Sequence, residues 1–121
     1  MFVRCLKDCK EFTAGDGSLL REILHPDNED LKIRYSLAYA MVAPRQRTKP
    51  HRLKASEVYY VLEGKGLMHI GYETHEVGAG SAIYIPPVAT QYIENTGDRR
   101  LKFLCIVDPA WRKDNEEVLD K

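Results

Sequence analysis

The stretch HRLKASEVYYVLEG, residues 51–64, constrains this chain more than any other. Side chains there alternate as they do on β-strands: His51 and Leu53 share a face, residues 54–56 break the pattern, and then Glu57, Tyr59 and Val61 lie opposite Val58, Tyr60 and Leu62. A carboxylate on the apolar side is the anomaly. Burying an ionised Glu without a partner is costly, so Glu57 must meet a metal ion, an imidazolium, a strong donor or trapped water. Gly64 and Gly66 then turn the chain into the next strand.

The spacing of His51, Leu53, Glu57 and Gly64 resembles the first motif of the cupin superfamily, HxH, three or four residues, E, six residues, G. A second block, GSAIYIPPVATQYIEN at residues 80–95, resembles the second cupin motif, with Gly80, Pro86 and Asn95 on its fixed positions. The resemblance covers roughly residues 30–108 and implies an all-β chain, a double-stranded β-helix or jelly-roll barrel with one pocket in its mouth. In that family a divalent metal is commonly held by two His and a Glu of the first motif and a His of the second. Those positions fall on His51, Leu53, Glu57 and Gln91, so what remains is one imidazole, one carboxylate and one amide oxygen. Val88 also replaces the Gly of P-x-G, and Arg45 stands where the family usually has Gly.

The other segments fit one domain over residues 1–121. KIRYSLAYAMV, residues 32–42, reads as a long strand with Ser36, Ala38, Ala40 and Val42 on one face. If that small face points inward, it leaves the space a ligand needs. Residues 67–70, 83–85, 89–94 and 101–107 read as further strands, the last a near-continuous apolar run expected of sheet buried on both sides. Residues 2–6 would add to a sheet edge and, by resemblance to small cupins, reach a partner subunit. LLREILH, residues 19–25, is ambiguous between a strand and a helical turn or two, while TAGDGS at 13–18 is a loop. The tail after Asp108 and Pro109 predicts a short helix or Trp111 folded back onto the barrel.

Lys plus Arg and Asp plus Glu each number 18, so the chain offers no electrostatic case for nucleic acid or an anionic membrane. The N-terminus lacks the apolar core of a signal peptide, and no apolar run approaches a membrane span, so the expectation is a cytoplasmic protein. Cys5, Cys9 and Cys105 are an odd set and cannot form a closed disulfide framework. Arg45, Arg47, Lys49 and Arg52 form a solvated loop or, in a sharper reading, a basic rim for an anionic substrate. Of the four histidines only His51 points at the pocket; His69 should face outward, His75 be partly buried and His25 lie in a loop.

Three chemistries are open to these residues. His51, Glu57 and Gln91 could hold a divalent ion (manganese, iron(II), zinc or nickel) with positions open for water and substrate, making a metal-dependent oxygenase, isomerase or lyase. His51 and Glu57 could instead move protons without metal, with Gln91 and Tyr59 orienting a sugar or small acid. A non-catalytic small-molecule-binding sensor needs nothing further. The plain structural reading of Glu57 is a buried carboxylate bonded to His51 or Tyr59, and of Gln91 an inward amide satisfied by backbone or water. A homodimer is the family expectation.

Overall fold

A computed structural model of the protein describes residues 1–119. Among the described residues eleven short strands carry the fold: β1 (Glu11–Thr13), β2 (Leu19–Leu24), β3 (Ser36–Val42), β4 (His51–Leu53), β5 (Ser56–Glu63), β6 (Lys65–Ile70), β7 (Glu73–Gly78), β8 (Ala82–Ile85), β9 (Gln91–Asn95), β10 (Leu101–Asp108) and β11 (Glu116–Val118). They build two antiparallel sheets, one in the order β1-β2-β3-β10-β5-β8 and the other β11-β4-β9-β6-β7. Packed face to face, these sheets form the expected jelly roll. Because side chains alternate along each strand, one face of each sheet lies in the interior.

The strands with the clearest alternation build the core. On β10, Leu101, Phe103, Cys105 and Val107 are buried, while Ile106 on the opposite face is 38% exposed. The apolar run there is therefore buried on one side only, not on both as the sequence suggests. Phe103, Ile85, Ile93, Leu101 and Val61 are fully buried, each such side chain worth roughly 1.5–3 kcal/mol of hydrophobic burial. The Phe103 and Tyr59 rings meet with centroids 4.5 Å apart. β3 pairs with β10 so that Ala40 lies opposite Phe103, Ala38 opposite Cys105 and Ser36 opposite Val107. The small face does point inward, and it leaves a void beside the large residues of β10.

The ends depart most from expectation. Residues 2–6 form no strand: Phe2 and Val3 are exposed, the Arg4 guanidinium covers the Phe2 ring at 5.1 Å, and a 3₁₀ turn follows at Leu6–Asp8. The edge strand is β1, paired with β2. β2 resolves the ambiguity of residues 19–25 in favour of strand because neighbours β1 and β3 bond it on both sides. In the tail, Trp111 packs against Leu53, Ala55 and Val107, a 3₁₀ turn spans Lys113–Asn115, and β11 pairs with β4. Among the described residues no helix is long and apolar enough to cross a membrane. Cys5, Cys9 and Cys105 are free thiols.

Among the glycines, Gly66 has the least room for a side chain. A Cβ there would lie 2.4 Å from the Glu94 carbonyl oxygen, whereas at Gly78 the nearest atom would be 3.8 Å away. Backbone cannot yield as a side-chain tip can. Urea melts should show Gly66→Ala losing about 3 kcal/mol, as overpacking does, while Gly78→Ala stays within about 0.5 kcal/mol of wild type.

Candidate active site

Strands of both sheets aim the site residues into the gap between them. β4 turns His51 and Leu53 inward, β5 turns Glu57 and Tyr59 inward, and β9 brings Gln91 beside His51 by direct pairing. All four polar groups are buried: His51 2%, Glu57 6%, Tyr59 2% and Gln91 1% exposed. Gln91 Nε2 donates to Glu57 Oε1 at 2.9 Å, and the Tyr59 hydroxyl donates to Gln91 Oε1 at 3.0 Å. Two residues of β5 and one of β9 thus form one hydrogen-bonded chain, Tyr59 to Gln91 to Glu57.

His51 is oriented separately. Its Nδ1 lies 2.7 Å from the Lys49 carbonyl oxygen, an acceptor, so Nδ1 carries hydrogen and Nε2 is left toward the cavity. Two acidic residues from outside both motifs approach this ring. Asp16, from the loop after β1, places Oδ2 3.7 Å from His51 Nε2, while its Oδ1 accepts from the Ser18 amide at 3.0 Å and hydroxyl at 2.7 Å. Glu116, from β11, joins from the tail. An Asp two residues before a Ser signals a local side-chain turn, and such a turn holds Asp16 here. Nothing local to Glu116 marks it.

A cavity of about 280 Å³ opens against these groups. Ser36, Ala38 and Ala40 form one side, Leu53, Phe103 and Trp111 supply apolar wall, and His51, Glu57 and Asp16 form the polar end. Tyr59 also lines it, whereas Gln91 stands behind Glu57, outside the lining. Burial drives the Glu57 carboxyl up from its ordinary 4.5 to about 8, with the charges of Asp16 and Glu116 adding to the rise and the Gln91 bond opposing it. Glu57 is therefore a neutral acid at pH 7. Burial likewise pushes the Tyr59 hydroxyl and Cys105 thiol well up. Glu116 is raised too, first by burial, with His51 opposing.

The donor set fits the family's metal poorly. Leu53 offers hydrocarbon at one of the four positions and packs on Ala55 and Val107. Glu57 and Gln91 are bonded to each other, and Glu57 favours its proton. Among the described residues no three His, Cys, Asp or Glu side chains stand together in a metal-holding group. The left-handed backbone survives where the family has Gly: Val88 has φ 62° and Arg45 φ 65°. Val88 gives its N–H to the Leu53 carbonyl at 2.7 Å, tying the two motifs together.

The remaining histidines lie away from this chemistry. His69 faces outward, bonded to Glu94 Oε1 at 2.6 Å and stacked on Tyr92. His75 is exposed rather than partly buried, and it bonds the Glu76 carbonyl. His25 follows β2 in a turn but is buried, its Nδ1 accepting from the Asp27 amide and its Nε2 2.6 Å from the Trp111 carbonyl oxygen. It fastens the tail.

The shift of Glu57 fixes a pH dependence. In the unfolded chain this group loses its proton near 4.5, and in the folded chain only near 8. Its contribution to stability is complete below the lower value and lost as pH rises through the upper one. In chelator-treated protein, melting temperature should fall between pH 5 and pH 8, and Glu57→Gln should flatten that fall. A wild-type melting temperature that rises across the same interval would contradict the buried neutral acid.

Comparison with known proteins agrees with this geometry. Residues 38–107 match the Cupin domain family. Uncharacterized protein MJ1618 of Methanocaldococcus jannaschii is 42% identical over 112 residues, 92% of this chain and 89% of that protein. The polyketide cyclase RemF from Streptomyces resistomycificus superposes with a TM-score of 0.76 at 26% identity, over 89% of this chain and 79% of that one. Oxalate decarboxylase from Bacillus subtilis gives 0.80 at 23% identity, over 94% of this chain and 30% of that one. With both motifs in register inside a two-sheet barrel and the match running through most of the core, the chain belongs to the Cupin domain family.

Proposed function

We propose that this cupin is an enzyme of the isomerase or lyase type that moves a proton on a small molecule in the barrel cavity, with His51 as base and Glu57 as acid. The observation that carries the reading is the pairing of a neutral carboxylic acid with an imidazole whose Nε2 faces the same cavity. His51 Nε2 takes the substrate proton, and the imidazolium so formed is stabilised by Asp16 at 3.7 Å. Glu57 delivers its own proton to the oxygen on which charge develops. Gln91 holds that carboxyl, and Tyr59 holds Gln91. Such positioned acid–base groups supply about 10²–10⁴-fold in rate. The apolar walls suit a substrate with a hydrocarbon body, and the names of the RemF and oxalate decarboxylase neighbours support an enzymatic role for this barrel.

The test is deuterium wash-in, followed by proton NMR, at the acidic C–H of a panel of small carbonyl compounds. Wild type should accelerate exchange in at least one compound, and His51→Gln and Glu57→Gln should each reduce it about 100-fold. Equal rates in wild type and both variants would overturn the assignment. Stoichiometric metal in the purified protein that disappears in both His51→Ala and Glu57→Ala would favour a divalent ion on His51, Glu57 and Gln91 instead. A compound that raises the melting temperature without exchanging would favour a binding module.

The same reading includes a homodimer formed through the outer face of the six-stranded sheet. Tyr60, Leu62, Tyr84 and Ile106 are 42%, 40%, 63% and 38% exposed on that face, with Val58 paired to Tyr84 and Leu104 to Tyr60. Contiguous apolar surface of this kind marks an interaction site. Light scattering should give twice the chain mass for wild type and the single-chain mass for Tyr60→Glu combined with Ile106→Glu.

A further inference from the structure

The cavity carries a charge pattern that the proton-transfer reading does not use. Its lining includes the acidic residues Asp16, Glu22, Glu57 and Glu116, and among the described residues no Lys or Arg lines it. The arginines of the loop before β4 and of β4 itself turn elsewhere: Arg45 donates to the Thr96 carbonyl, Arg47 lies over the Tyr92 ring at 5.1 Å, and Arg52 bonds Glu117. Were His51 to carry its proton, the lining would still hold more acids than bases. The walls also include four aromatic side chains, Phe12, Tyr59, Phe103 and Trp111.

A second feature is the orientation of His51. The residue is 2% exposed, and its Nε2 has the Asp16 carboxylate at 3.7 Å, beyond hydrogen-bond distance. The space beside it is the cavity itself. Acidic groups and aromatic rings around an apolar chamber are the surroundings in which an organic cation is bound, by charge attraction and by contact with ring faces. A carboxylate ligand would meet like charge there and no counter-ion.

From this lining we infer that the cavity takes a small organic cation, a protonated amine or alkylated onium centre bearing a short hydrocarbon body with a hydrogen-bonding group, and rejects small dicarboxylates. Asp16 and Glu116 supply the charge recognition, and the hydrogen-bonding group of the ligand meets His51. The assignment rests on the cavity being the substrate site, and it names the chemical class that site accepts.

The experiment is calorimetric titration of the full chain with three probes: choline, its neutral isostere 3,3-dimethyl-1-butanol, and oxalate. Choline should bind at least tenfold more tightly than the alcohol, with no binding of oxalate over the same range. Asp16→Asn and Glu116→Gln should each weaken choline at least fivefold and leave the alcohol unchanged; Glu116→Gln, on the last strand, serves if the Asp16 loop fails to fold. Equal affinity for choline and the alcohol, preference for oxalate, or no binding of any probe would overturn the cation assignment. Deuterium wash-in on carbonyl compounds judges the proton-transfer reading independently of this result.

Discussion

The hydrogen bond from Gln91 to Glu57 is the interaction on which the interior of this protein turns. A carboxyl group inside a β-sandwich can persist only if it gives up its charge or finds a counter-charge, and here the first solution prevails. The amide of Gln91 satisfies one carboxyl oxygen, Tyr59 satisfies the amide in turn, and the acid keeps its proton. That arrangement removes Glu57 and Gln91 from the pool of ready metal donors. Leu53 removes the third position by filling it with hydrocarbon. Gln91 and Leu53 thus give this interior a hydrogen-bonded wall with a hydrophobic neighbour.

The family's backbone persists beneath these changed side chains. Val88 and Arg45 adopt left-handed conformations that suit Gly far better than a β-branched or long residue. Val88 is kept there by its N–H bond to the Leu53 carbonyl. Backbone bonds between the two motifs thus hold the barrel mouth in shape while the chemistry of the site varies.

Much of this was legible in the sequence, for physical reasons that differ by residue. The inward faces of β4 and β5 could be read because strict alternation leaves only one side for His51, Glu57 and Tyr59, and a carboxylate among apolar residues stands out against that pattern. Gln91 followed from motif spacing, and the small face of β3 from its own composition. Asp16 and Glu116 were not legible. Each reaches His51 by the docking of a loop or tail, a tertiary event with no local periodicity to announce it. The strand character of β2 was hidden for a related reason, since six residues flanked by a loop and a proline decide between helix and strand only through their neighbours. Residues 2–6 misled because an apolar run is not a strand until an edge is available, and β1 already occupies that edge.

Asp16 lies close to one end of the chain and Glu116 close to the other, and His25, which bonds the Trp111 carbonyl, staples the two ends together. The core around Phe103 and Ile93 is built by the central strands, whereas the acidic wall of the chamber is supplied from these two outlying segments. Bringing such remote segments together carries the largest loop-closure entropy in the molecule. The apolar fold and the acidic wall therefore draw on different contacts, the one between neighbouring strands and the other between the most remote parts of the sequence.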